Sequence, residues 1–126
     1  MANPSDTGSS GVGSETLRRR YVDGSGESEA TLCAGIANHI MTIVSIIIME
    51  NDGNGDSQFD MYIDYDLGGT NLYLLKNVVL PDYKSYVWND KIVLTDTDKL
   101  HLLGHSAAST SQYDCWVSYI DQEFTT

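Results

Sequence analysis

The chain has little of what most function classes require. Its 126 residues include two cysteines, Cys33 and Cys115. Neither stands in CxxC or zinc spacing, and one pair defines no disulfide framework. Both are expected to be buried, reduced thiols of a protein made in a cytosol. Basic residues are scarce, with 7 Lys and Arg against 18 Asp and Glu and a formal net charge of −11. Three of the basic residues form the run Arg18-Arg19-Arg20, so from Tyr21 onward only Lys76, Lys84, Lys91 and Lys99 oppose sixteen carboxylates. Such a surface repels phosphate backbones and anionic lipid, which argues against nucleic acid or membrane as partners of the body. The longest apolar run is about half the ~20 residues that a membrane-spanning helix needs. Met1 to Ser14, mostly Gly, Ser, Asn and Asp, does not resemble a secretory signal. No G-x-S-x-G, Gly-rich phosphate loop or placeable Cys–His pair is present, and no long stretch has helical periodicity.

What is present is organised around Ile40 to Met49, a charge-free run of largely β-branched residues. Read as a strand, it points Ile40, Val44, Ile46 and Ile48 to one side and Met41, Ile43, Ile47 and Met49 to the other. Both sides are predicted to be covered. The loop Glu50 to Asp56 is dense in residues that accept positive φ and predicts a hairpin. Gln58 to Leu67 then alternates cleanly, with Phe59, Met61, Ile63, Tyr65 and Leu67 facing a core and Asp60, Tyr62, Asp64 and Asp66 facing water. Further strands are predicted at Ala30 to Ile36, Asn71 to Asn77, Lys84 to Trp88, Lys91 to Leu94, Leu100 to Gly104 and Gln112 to Ile120. Leu17 to Asp23 is a first strand or an arm. The expected fold is all-β, a single antiparallel β-sandwich of about eight strands, immunoglobulin-like or jelly-roll-like. Residues 1–16 are expected to form a flexible N-terminal tail and residues 17–126 the sandwich domain.

Several constellations invite chemistry and fall short of it. Asp52-Gly53-Asn54-Gly55-Asp56 opens like a calcium loop, but the sixth position is Ser57 rather than Gly and the twelfth Ile63 rather than Glu. Asp60, Asp64 and Asp66 share a strand face and would serve a metal-dependent hydrolase, but the polar face of a half-buried strand is expected to be wet, and a solvated face is the favoured reading. His101 and His105 lie four apart, which meets on a helix and not on a strand, and His39 is remote, so surface or turn histidines are the expectation. No catalytic residue, metal or cofactor is assigned. Tyr113 stands two residues before Cys115, as in an immunoglobulin tyrosine corner, but the Trp expected after the first cysteine is absent. Tyr62, Tyr73, Tyr86, Trp88 and Trp116 are candidates for a sugar-stacking platform, with burial the alternative. The Arg18 to Arg20 run stands between a polar tail and an acidic body. It suits a docking arm for an acidic protein surface, a small nucleic-acid contact, or pairing with the chain's own carboxylates.

Ala37-Asn38-His39-Ile40 leading into the apolar strand, Leu80-Pro81, Asn89-Asp90-Lys91-Ile92-Val93-Leu94 with Asp98, and Val117-Ser118-Tyr119-Ile120-Asp121 resemble small structural proteins of tailed bacteriophages, particularly cyanophages. The likeness spans roughly Leu17 to Phe124. It implies a non-enzymatic virion protein, made in the host cytoplasm, most concretely a capsid decoration or cement subunit bound to the major capsid protein or other virion proteins. It also implies repeated copies or a homo-oligomer and no small-molecule substrate. Neck or tail accessory proteins, and receptor- or carbohydrate-binding sandwiches, are the alternatives. In the decoration reading Leu17, Arg18, Arg19, Arg20, Tyr21 and Val22 form the partner-binding segment, bridging subunits or adding a strand to one. The sequence assigns no aromatic or apolar patch to the partner-facing side.

Overall fold

Short alternating segments punctuated by Gly, Asn, Asp and Pro become nine strands and no helix among the described residues, which in this computed structural model are 14–25, 29–51, 53, 55–65, 70–105 and 112–124. The strands are β1 (Ser14–Ser25), β2 (Glu29–Ala34), β3 (His39–Glu50), β4 (Ser57–Asp64), β5 (Asn71–Leu80), β6 (Ser85–Trp88), β7 (Ile92–Thr95), β8 (Lys99–His105) and β9 (Gln112–Glu123). One sheet runs β1-β9-β3-β6, with β7 also on β3, and the other runs β2-β8-β4-β5.

The pairings are nested. β1 pairs with β9, β2 with β8, β3 with β6 and β7, and β4 with β5, all antiparallel. Strands β7 and β6 lie end to end on one edge of β3, against Ile40–Ile43 and Ile46–Met49, as two halves of one strand broken at Asn89-Asp90. A long hairpin rolled over on itself in this way is the jelly-roll arrangement and not the immunoglobulin one. The predicted tail lies largely outside the described residues; Ser14 to Thr16 already belong to β1, and Leu17 to Val22 form the middle of an edge strand.

Between the sheets, Leu32, Phe59, Met61, Leu100 and Leu102 pack against Met41, Ile43, Ile46, Ile48, Leu94, Tyr113, Cys115 and Val117, all essentially inaccessible to water. Burial of each large side chain stabilises by roughly 1.5–3 kcal/mol. Tyr113 also ties the layers together: from β9 its hydroxyl donates to the Gln58 carbonyl of β4 at 2.8 Å, and its ring meets Phe59 edge-on at 6.1 Å. Both cysteines are free and buried, and burial pushes the Cys33 thiol up to about 11 and the Cys115 thiol up to about 12.

Three expectations are corrected. First, β3 is not covered on both sides. A bulge between Ile43 and Ser45 shifts the alternation, so that Met41, Ile43, Ile46 and Ile48 share the inner face, while Ile47 stands 41% exposed outside. An extra residue in one strand exchanges the faces of everything beyond it. Second, residues 51–56 do not close a hairpin, because β3 and β4 belong to different sheets. The buried Glu50 fixes this crossing by accepting from the Gly53 amide at 3.3 Å and the Tyr83 amide at 3.1 Å. Third, the polar face of β4 is not wet: Asp60 and Tyr62 are buried, Asp64 is half-buried, and Asp66 lies outside the described residues. Lys76 and Asn77 bulge opposite Asp60, and Asn77, at φ 53°, donates its amide to that carboxylate at 2.7 Å while His105 Nε2 donates at 2.5 Å. Two charge-assisted bonds replace the water that the carboxylate has lost.

Candidate functional site

Alternation along β1 divides the predicted partner-binding segment between two surfaces. Arg18, Arg20 and Val22 turn to the inner side; Leu17, Arg19 and Tyr21 turn outward. Only Val22 joins the core.

On the outward side the register lines up large apolar side chains across four of the five strands of the sheet. Tyr21 of β1 pairs with Trp116 of β9, Trp116 with Ile47 of β3, and Ile47 with Val87 of β6. Their exposures are 56%, 41%, 41% and 52%. A second row runs Leu17, Ile120, Thr42 and Val93, with Leu17 69% and Val93 57% exposed. Between the rows Arg19 pairs with Ser118 and lays its guanidinium over Trp116, 5.5 Å from the ring centroid. That cation–π contact places the guanidinium over the indole while leaving the charge at the surface. At the rim, Tyr21 donates to Asp114 Oδ1 at 2.6 Å, which pushes its phenol up to about 12. Leu17, Arg19, Trp116 and Ser118 line a shallow depression of about 350 Å³ in this face, which Arg18 also borders although its Nε turns inward to Asp121.

The opposite outer face is built differently. The corresponding row of the second sheet is Tyr73, Tyr62, His101 and Thr31. His101 is buried there beneath the Tyr62 ring at 5.4 Å, its Nδ1 3.1 Å from Thr31 Oγ1 and 3.6 Å from Glu29, while Tyr62 donates to Glu29. These side chains satisfy one another. The second sheet also exposes apolar side chains, Leu72, Tyr73 and Val79, but all three lie on its edge strand β5, beside the half-buried Ile63, the buried Tyr62 and the polar Gln58 of β4. The exposed row that crosses from strand to strand is the one on the β1–β9–β3–β6 side.

On the inner side Arg18 donates its Nε to Asp121 Oδ2 at 3.0 Å, and His39 Nδ1 donates to Oδ1 of the same carboxylate at 2.7 Å. Asp121 is 5% exposed. The reading in which the arginines pair with the chain's own carboxylates therefore fits Arg18, whereas Arg19 stacks on Trp116 and Arg20 makes no hydrogen bond or ion pair among the described residues.

The other sequence candidates disperse. The proposed sugar platform does not form: Tyr62 is buried, Tyr86 and Trp88 are half-buried against the core, and Tyr73 and Trp116 stand on different sheets. None of the histidines is a free surface group; each faces a carboxylate, His39 with Asp121, His101 with Glu29 and His105 with Asp60. Among the described residues no group of three or more His, Cys, Asp or Glu is placed to hold a metal ion. Sequence reasoning missed Ile47 and Val87. The pattern of β9 held a signal for Trp116, since Tyr113, Cys115 and Val117 inward place it outward.

No family model matches the chain, and no curated protein matches it. Several solved structures are similar to it, among them two that share the fold. One, from work describing Bacillus endospore appendages as a novel family of disulfide-linked pili, is 17% identical over 91% of this chain and 93% of that one, with a TM-score of 0.53. The other, the VP2 subviral particle of infectious bursal disease virus, is 11% identical over 87% of this chain and 33% of that one, also with a TM-score of 0.53. At such identities the likeness is one of fold.

Proposed function

We propose that the chain is a non-enzymatic structural subunit present in many copies on a larger particle, and specifically a decoration or cement subunit of a tailed-phage capsid. It seats through the outer face of the β1–β9–β3–β6 sheet. The observation that carries this reading is the in-register row Tyr21, Trp116, Ile47 and Val87. Contiguous apolar surface of this kind marks a place where something docks. Covering the exposed halves of four such side chains contributes roughly 1 kcal/mol each. Trp, Tyr and Arg, which dominate binding energy at protein interfaces, meet here at Trp116, Tyr21 and Arg19.

The similar folds described as building pili and a viral particle support a multi-copy role, as does the phage resemblance of the sequence. The mode of attachment differs from the disulfide linkage described for the endospore appendages. Cys33 and Cys115 are both buried, so contacts between subunits here are non-covalent. The outward residues of the partner-binding segment, Leu17, Arg19 and Tyr21, form one edge of the contact.

Co-sedimentation of the full chain and of Trp116→Glu with assembled capsids, and separately with tails, tests the reading at low and high salt. Binding to capsids that survives salt largely intact and is lost in the variant is the expected result. Attachment to tails alone reassigns the protein to the neck or tail, and binding to neither particle, or equal binding by the variant, overturns the proposal.

A further inference from the structure

We infer that the pocket on the inner side of β1 is a receptor for a single carboxylate carried on a short apolar stem. It lies at one end of the sandwich and encloses about 390 Å³, bounded by Arg18 and Arg20 of β1, Cys33 and Ala34 of β2, Ile36, His39 and Met41 around the start of β3, and Tyr119 and Asp121 of β9. That volume lies within the ~300–1,000 Å³ of small-ligand sites.

The balance of charge selects the ligand. In a chain of net charge −11, two arginines and a histidine face one carboxylate. Asp121 occupies only Arg18 Nε and His39 Nδ1. A guanidinium carries five N–H donors, so Arg18 keeps four and Arg20 all five without partners among the described residues. Arg20 lines the pocket together with Cys33 and Tyr119. Planar donors of this kind match a carboxylate in pairs. A dianion such as phosphate is disfavoured by Asp121 in the wall and by the acidic body around it. Cys33, Ala34, Ile36 and Met41 supply the apolar wall for the stem.

Free short-chain acids and the Asp or Glu side chain of a partner protein share this chemistry, and the two are separable. Nitrogen-15 spectra of the full chain are recorded with butyrate against butyramide, and with a blocked Gly-Glu-Gly peptide against its Gln counterpart. Arg20→Gln is the matched variant, since Arg20 is exposed and holds no partner among the described residues, so the fold does not depend on it. The expected result is saturable shifts around residues 18–20, 33–39 and 119–121 with the acids and not with the amides, weakened about tenfold or more in Arg20→Gln. Tighter binding of butyrate identifies a free acid as the ligand, and tighter binding of the Glu peptide a protein side chain. Equal shifts with acid and amide, or saturation unchanged in Arg20→Gln, overturn the assignment. The docking face lies on the other side of β1, so this result and the capsid experiment stand or fall separately.

Discussion

Replacing Tyr113 by Phe removes one oxygen atom from the middle of the sandwich. The residue is 1% exposed, and its hydroxyl donates to the Gln58 carbonyl at 2.8 Å and also hydrogen-bonds Ser57, which is itself fully buried. The ring and its edge-on contact with Phe59 are untouched by the change. Polar atoms of β4 lose a partner where water does not reach. A net hydrogen bond contributes about 1 kcal/mol, and a buried group left unpaired costs about 1–3 kcal/mol, so a loss of roughly 1–3 kcal/mol is expected. For 126 residues the unfolding entropy is about 0.26 kcal/mol per kelvin, so the melting temperature falls by roughly 4–11 °C. Urea denaturation followed by circular dichroism measures the loss, with an unchanged m value showing that the unfolded state is the same. Tyr65→Phe, at a 49% exposed position, is the control and is expected to move stability by less than about 0.5 kcal/mol. Equal stability of Tyr113→Phe and the parent protein would refute the idea that this hydroxyl ties the sheets together.

Further outcomes follow from buried and half-buried positions. A Cβ on Gly35 would lie 2.7 Å from the Asp96 carbonyl oxygen, where the turn after β7 closes through the Gly35 amide onto the Asp98 carbonyl, so Gly35→Ala is expected to lose about 1–3 kcal/mol in the same denaturation assay. Asp60→Ala removes the acceptor of the Asn77 amide and the partner of His105, and thermal melts are expected to show a loss of about 2–4 kcal/mol. Cys33 and Cys115 should resist a thiol reagent at pH 8 and react fully in denaturant. Because both folded thiols hold their protons above the ordinary value of 9.0, the stability they confer is whole below about pH 9 and is lost as pH rises toward about 11 and 12. A Cys115→Val variant should show a shallower decline.

Strand content was legible because it depends on local alternation: the inward set of β9 can be read directly, and Leu80-Pro81 marks the end of β5. The exposed apolar row was not legible, because it depends on a bulge. Ile40 to Met49 looks two-sided when read with an unbroken period of two, and only the extra residue between Ile43 and Ser45 brings Ile47 out beside Trp116. Nor were the histidine–carboxylate hydrogen bonds. His105 finds Asp60 from 45 positions away and His39 finds Asp121 from 82, through strand neighbours that no local pattern encodes. The same nesting of β1 on β9 splits the Arg18 to Arg20 run, giving one arginine to a buried carboxylate and another to an indole. As a sequence the run is a uniform patch of charge; on a strand it serves two surfaces.

The central claim is that the outer face of the β1–β9–β3–β6 sheet is covered in the assembled particle. Fluorescence of a Trp88→Phe variant, in which Trp116 is the remaining tryptophan, tests it directly. Titrated with assembled capsids, the emission is expected to shift to shorter wavelength and acrylamide quenching to fall sharply, as the 41% exposed indole leaves water. A protein that sediments with capsids while Trp116 stays as quenchable as in the free chain would be docked through another face, and that result would contradict the account.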